Sequence, residues 1–210
     1  MEKTKETKKQ KVIFLCTQNS ARSQMAEGFL RHYGGDAFEA YSAGTEPTGE
    51  IHPYAVEVME EVGIDISDQY PKRLKTYLGK TGFNYLIIVC ARAEKNCPKT
   101  FPGVHARISW LFDDPRAEEV PEEDLLESFR RVRDEIEQKV LAWIDNPKIE
   151  LEKLKAERDR QRRERIETER LEVERRDRQQ YRDRFLSTGL DPDPGEPGYT
   201  PALPRRPRAV

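Results

Sequence analysis

The sequence predicts an α/β domain, a three-layer sandwich around a small central parallel sheet, followed by a charged C-terminal helix. Three observations carry this. Short apolar runs alternate with segments of helical periodicity through the first two thirds of the chain, the pattern of strands joined by crossover helices. The first apolar run leads through a short polar loop directly into a helix. After about residue 147 apolar periodicity gives way to dense opposite charge.

The elements follow in order. Residues 11–15 form a buried strand, a short apolar run entering a loop. Residues 23–33 form a helix in which Ala26, Phe29, Leu30 and Tyr33 recur at helical spacing, and Gly34-Gly35 stops it. Phe38 to Ser42 alternates as a strand and ends at Gly44. Residues 53–62 form a second helix, with Pro53 near its start and Gly63 after its end. A strand runs from Asn84 to Val89, with Cys90 at its end, and Val104 to Trp110 forms a weaker strand. Residues 121–145 form the strongest helix, striped by Leu125, Phe129, Val132, Ile136, Val140 and Ile144.

Composition divides the chain further. Of 210 residues, 36% are hydrophobic and 36% charged, too polar for one ordinary domain of this length. The expected organisation is a charged N-terminal extension (1–10), a catalytic domain (11–146), a charged helical extension (147–186) and a disordered Pro/Gly-rich tail (187–210). The helical extension holds fourteen Lys or Arg against eleven Asp or Glu, with no glycine. Opposite charges recur three and four apart, as in Glu157/Arg160 and Glu174/Arg178, and no heptad is sustained.

Net charge is −2, which argues against nucleic acid or an anionic membrane as a partner. No apolar stretch is long enough to span a bilayer. The charged start carries no apolar segment typical of a secretory signal, so a cytoplasmic location with reduced thiols is expected. Three cysteines suit redox or catalytic use better than a disulfide framework.

The chemistry gathers at Cys16, which closes the first strand. Thr17, Gln18, Asn19, Ser20 and Ala21 follow as a polar loop, and Arg22 and Ser23 open the helix. Loop N–H groups at a helix N-terminus favour an anion, and the same field is expected to lower the Cys16 pKa. The Arg22 fork matches two oxygens of a tetrahedral oxyanion. Ser23 is a donor to the thiolate, Asn19 a lock for the loop, and Ser42-Ala43-Gly44-Thr45 a candidate buttress. Thr17 to Ser23 is thus an oxyanion-binding loop following a nucleophile.

Cys90 and Cys97 are six residues apart, too far for a two-residue redox or zinc hook, and the three histidines show no ligand spacing. Two readings stand. Cys90 is a buried strand-end residue and Cys97 an exposed loop thiol, or the pair relays oxidation away from Cys16. Asp114, pinned before Pro115, is either an ordinary turn residue or a general acid held over the anion site.

These residues resemble a known family. Val12-Ile13-Phe14-Leu15-Cys16 through Arg22-Ser23, Met25-Ala26-Glu27, Ser42-Ala43-Gly44-Thr45 and Asp114-Pro115 resemble the low-molecular-weight protein tyrosine phosphatases. Cys90 with Cys97, Gly63-Ile64-Asp65-Ile66-Ser67, and Trp110 through Asp114-Pro115 point, within that superfamily, to thioredoxin-coupled arsenate reductases. Arg116 stands where phosphatases of the fold usually carry an aromatic residue.

The resemblance implies a mechanism. Cys16 attacks arsenate held by the loop and Arg22, and Asp114 protonates the leaving hydroxyl. Cys90 attacks Cys16 and arsenite leaves. Cys97 then attacks Cys90, and thioredoxin opens the resulting disulfide, so no further cofactor is expected. The segment between the two cysteines has little to bury and is expected to move. Some members hold a potassium ion through residues matching Asn19, Glu27 and Ser42. The two remaining positions align with Tyr70 and Lys72, and a lysine ammonium in the cation's place predicts no metal. A phosphatase of the same fold, and an interaction module whose tail docks a partner or self-associates, are the alternatives.

Overall fold

Apolar alternation and helical stripes resolve into four strands and five helices in a computed structural model, which describes residues 8–77, 79–97 and 101–188. The first residues of the N-terminal extension and nearly all of the predicted disordered tail lie outside the described residues. So does Pro98 after Cys97.

Strand β1 (Gln10–Cys16) is followed by helix α1 (Arg22–Gly34), strand β2 (Phe38–Gly44) and helix α2 (Pro53–Glu61). Strand β3 (Phe83–Ile88), helix α3 (Ala91–Asn96), strand β4 (Val104–Ser109) and helix α4 (Leu125–Asp145) complete the sandwich. Helix α5 (Pro147–Thr188) runs on from it. The sheet order is β2-β1-β3-β4, and every pairing is parallel.

This order explains why Cys16 matters. The chain leaves β1 for β2 on one side and reaches β3 on the other. The strand order therefore reverses at β1 and opens a crevice at the carboxyl end of that strand. Cys16 ends that strand, in register with Gly44 of β2. On one face α1 packs against α4, α2, β1 and β2, while α3 packs against β1 and β3.

Both sheet faces are covered, so β1 and β3 are continuous apolar runs rather than alternating ones. Val12, Ile13, Phe14, Leu15, Leu86, Ile87 and Ile88 are all fully buried. From α4 the predicted stripe supplies Phe129, Val132, Ile136 and Val140, also fully buried. Trp143 packs edge-on to Tyr85, with ring centres 4.9 Å apart, and lies 5.9 Å from Trp110.

The chain divides into two compact units, residues 1–151 and 152–210. In the second, α5 carries pairs such as Arg170–Glu174 (3.3 Å) and Arg165–Glu169 (3.7 Å). Its described apolar residues, among them Ile166, Leu171 and Val173, are exposed and form no stripe.

The segment after Cys90, expected to have little to bury, forms the short helix α3, on which Ala93 is the one buried residue. Cys90 stands at the N-cap, its sulfur accepting from the Ala93 N–H at 3.4 Å.

Candidate active site

Cys16 Sγ is the acceptor around which the loop closes. The Asn19 N–H donates to it at 2.9 Å, and the Ser23 hydroxyl lies 2.9 Å away. Asn19 adopts φ 55°, the left-handed region that asparagine tolerates better than most residues. Its side chain holds the loop from within. Nδ2 donates to the Ser23 and Ser42 hydroxyls at 2.9 and 2.8 Å, and Oδ1 accepts from the Lys72 N–H at 2.7 Å.

The loop is also pinned from outside. The N–H groups of Thr45 and Glu46 donate to the carbonyls of Cys16 and Thr17, at 3.1 and 2.9 Å. The His52 N–H donates to the Ser20 carbonyl at 2.8 Å, and Gln24 Nε2 donates to the Asn19 carbonyl at 2.9 Å. Gly44 is required for this fit, because a Cβ there would stand 2.6 Å from the Thr17 carbonyl oxygen. Helix α1 begins at Arg22 with no side-chain cap and no acid in its first turn. Its positive dipole end thus remains available to an anion.

A cavity of about 150 Å³ lies over this loop, lined by Cys16, Thr17, Gln18, Ser20, Ala21, Arg22, Arg92, Asp114 and Arg116. Three arginines and one aspartate are among these residues, and no aromatic residue is among the described ones that line it. Arg22 donates to Asp114 at 2.9 Å and to the Phe112 carbonyl at 3.1 Å. Arg116 donates to Gln18 Oε1 at 2.6 Å. Asp113, by contrast, turns to Arg131 at 3.6 Å. A wider groove at the amino ends of β1 and β3, lined by Lys8, Lys9, Lys11 and Lys80 among others, has no cysteine among its described lining residues.

The Cys16 pKa differs from expectation. Burial dominates and pushes the thiol up; the Ser23 hydroxyl and the Asn19 N–H pull it down, and Arg22 does so least. The Arg22 guanidinium is itself engaged by Asp114 and the Phe112 carbonyl. Helix-end electrostatics alone suggested a thiolate, but desolvation favours the neutral form.

The other cysteines divide between the two ends of α3. Cys90 Sγ lies 3.6 Å from the Thr17 hydroxyl, one residue along the chain from the nucleophile. Cys97 closes α3, its N–H donating to the Ala93 carbonyl at 2.8 Å. It is buried, not an exposed loop thiol, and burial pushes its pKa up, opposed by the nearby Arg107 charge. All three thiols are free.

The residues matching the potassium ligands do not fit a cation. Lys72 Nζ lies 3.1 Å from Glu27 Oε2 and 3.1 Å from the Tyr70 carbonyl oxygen. A cation on that carboxylate would therefore meet an ammonium group. Ser42 completes the cluster by donating to the same Glu27 oxygen.

Sequence reasoning overlooked Gln24, His52 and Arg92. Gln24 and His52 act through contacts the linear chain does not show, although a residue just before Pro53 at a helix start was a signal for His52. The imidazole of His52 stacks on Phe129 with ring centres 4.6 Å apart, and burial lowers its pKa.

Residues 11–160 match the family described as low molecular weight phosphotyrosine protein phosphatase. The arsenate reductase of Halalkalibacterium halodurans is 41% identical over 140 residues, spanning 67% of this chain and 99% of that protein. The arsenate reductase of Shouchella clausii is 46% identical over 129 residues, 61% of this chain and 91% of that protein. Among solved structures, an arsenate reductase in its oxidized state matches with a TM-score of 0.55 and 33% identity, covering 65% of this chain and 97% of that one.

Proposed function

This chain belongs to the low molecular weight phosphotyrosine protein phosphatase family, and from that premise we propose that it is a thioredoxin-recycled arsenate reductase. The observation that carries this reading is the Cys90 thiol packed against Thr17, beside the nucleophile. Phosphoryl transfer needs a nucleophile, an oxyanion cradle and an acid, which Cys16, Arg22 and Asp114 supply. It has no use for a second thiol at that place. The relatives named arsenate reductases support the same substrate.

In this reading the loop from Thr17 to Ser23 and the Arg22 guanidinium hold the arsenate oxygens. The Cys16 proton passes to an oxygen of the bound arsenate and its sulfur attacks arsenic, while Asp114 protonates a departing hydroxyl, which leaves as water. Cys90 attacks Cys16 Sγ. The sulfur–arsenic bond breaks with its electron pair passing to arsenic, which leaves as arsenite, and a Cys16–Cys90 disulfide remains. Cys97 attacks Cys90 and frees Cys16 as a thiolate. The Cys90–Cys97 disulfide then takes two electrons from a dithiol donor, thioredoxin. A reduced cytoplasm suits this cycle, and no further cofactor enters it. No helix among the described residues is long and apolar enough to cross a membrane.

The test is mass spectrometry of reduced protein exposed to arsenate without a donor. A Cys90–Cys97 bridge should accumulate. Cys97→Ser should stop at the Cys16–Cys90 disulfide and lose thioredoxin-coupled turnover while still hydrolysing aryl phosphate. Hydrolysis of aryl phosphate with no arsenate-driven bridge in the wild type would instead assign a phosphatase.

A further inference from the structure

Arg92 lies on α3 two residues after Cys90, and it is one of the residues lining the cavity over the nucleophile loop. The helix that would carry the redox change therefore also carries part of the anion site. The covalent geometry couples the two. At about 1.5 Å rise per residue, the seven steps from Cys90 to Cys97 separate their Cα atoms by roughly 10 Å. A disulfide requires about 7 Å or less. The Cys90–Cys97 bridge is therefore incompatible with an intact α3.

Bridging must also undo the bonds at both ends of α3. The Ala93 N–H loses the Cys90 sulfur, and the Cys97 N–H, bound to the Ala93 carbonyl at 2.8 Å, must shift. Among the other ties of the helix, Glu94 accepts from the Ser109 hydroxyl at 2.7 Å and pairs with Arg107 at 3.1 Å. Neither tie holds Arg92 over the cavity. Its only ion pair among the described residues is with Glu46, at 3.9 Å.

We propose that Arg92 links oxyanion affinity to the thiol state of α3. With α3 intact, Arg92 adds a third positive charge to those of Arg22 and Arg116 at the cavity. When Cys90 and Cys97 are bridged, the helix opens and that charge withdraws, so a tetrahedral oxyanion binds less tightly until the disulfide is reduced. Linkage is reciprocal: a bound oxyanion stabilises the closed helix. The device would keep oxidised protein from holding fresh substrate it cannot reduce. This inference rests on the relay reading of Cys90 and Cys97.

Calorimetric titration with inorganic phosphate at fixed ionic strength tests it. Reduced wild type should bind phosphate about three- to tenfold more tightly than the bridged form, with the bridge verified by mass spectrometry after alkylation. Arg92→Gln should weaken the reduced form by that factor and leave the bridged form unchanged. Equal affinity in both wild-type forms, or equal weakening of both by Arg92→Gln, overturns the proposal. A second measurement needs no oxidation. Phosphate should slow hydrogen exchange of the α3 amides in reduced wild type but not in Arg92→Gln. If no bridge can be formed, the relay reading fails, and the exchange result alone decides whether Arg92 couples anion binding to α3: protection that persists in Arg92→Gln rules it out.

Discussion

Lys72 Nζ lies 3.1 Å from Glu27 Oε2, and the two side chains are only 11% and 4% exposed. A carboxylate that deeply placed needs a compensating charge, and the ammonium supplies it two hydrogen bonds from the nucleophile loop, through Ser42 and Asn19.

Lys72→Met should therefore destabilise the fold by about 3 kcal/mol in urea denaturation, the low end for breaking a buried pair. Arg31, 2.6 Å from Glu27, limits the loss. Because the lysine already provides the positive charge, wild-type turnover should be the same in potassium and in sodium. A several-fold stimulation by potassium would show that a cation binds despite Lys72.

Asp114 pairs with Arg22 at 2.9 Å, and Arg22 is one of the groups that lower the Cys16 pKa. Asp114→Asn should release the Arg22 charge, favour the thiolate and move the Cys16 pKa down. Thiolate absorbance near 240 nm, followed against pH, reads the shift. An upward movement would mean that Asp114 acts on the thiol by some route other than Arg22.

Ser23 exerts the largest downward pull on Cys16. Removing its hydroxyl in Ser23→Ala leaves burial less opposed, so the thiol pKa should rise. Since the thiolate is the attacking species, the rate of Cys16 alkylation at neutral pH should fall about tenfold for each unit of rise. In both proteins that rate should climb with pH, and in the variant the climb should come later.

Gly44 admits no side chain beside the Thr17 carbonyl. Gly44→Ala should cost about 1–3 kcal/mol through forced backbone movement, and phosphate binding should weaken with it. Thermal melting and calorimetry measure the two effects separately. Unchanged phosphate affinity would show that the loop tolerates displacement at that point.

Helix α5 beyond residue 151 belongs to a compact unit of its own, and its described apolar residues form no stripe to pair with a second copy. Removing residues 152–210 should leave the oligomeric mass class and the arsenate turnover of the remaining unit unchanged. A drop from dimer to monomer in analytical ultracentrifugation would assign self-association to the tail.

Local pattern was enough wherever one short segment contained the whole answer. The buried strands of β1 and β3, the stripe of α4 and the run from Cys16 to Ser23 could be read directly, because periodicity and a strand–loop–helix junction are properties of neighbouring residues. Helix α3 escaped notice because its six residues, Ala-Arg-Ala-Glu-Lys-Asn, are too few to show a period. Its cap is also a cysteine rather than one of the usual small polar residues.

What the tertiary structure alone decided was which distant groups meet. Arg22 and Asp114 are 92 positions apart, and Glu27 and Lys72 are 45 apart. Their pairing depends on where the sheet places each loop. The Cys16 pKa is of the same kind. Sequence supplies the helix end and the arginine, but the balance between their field and desolvation depends on how completely the surrounding chain excludes water, and here exclusion wins.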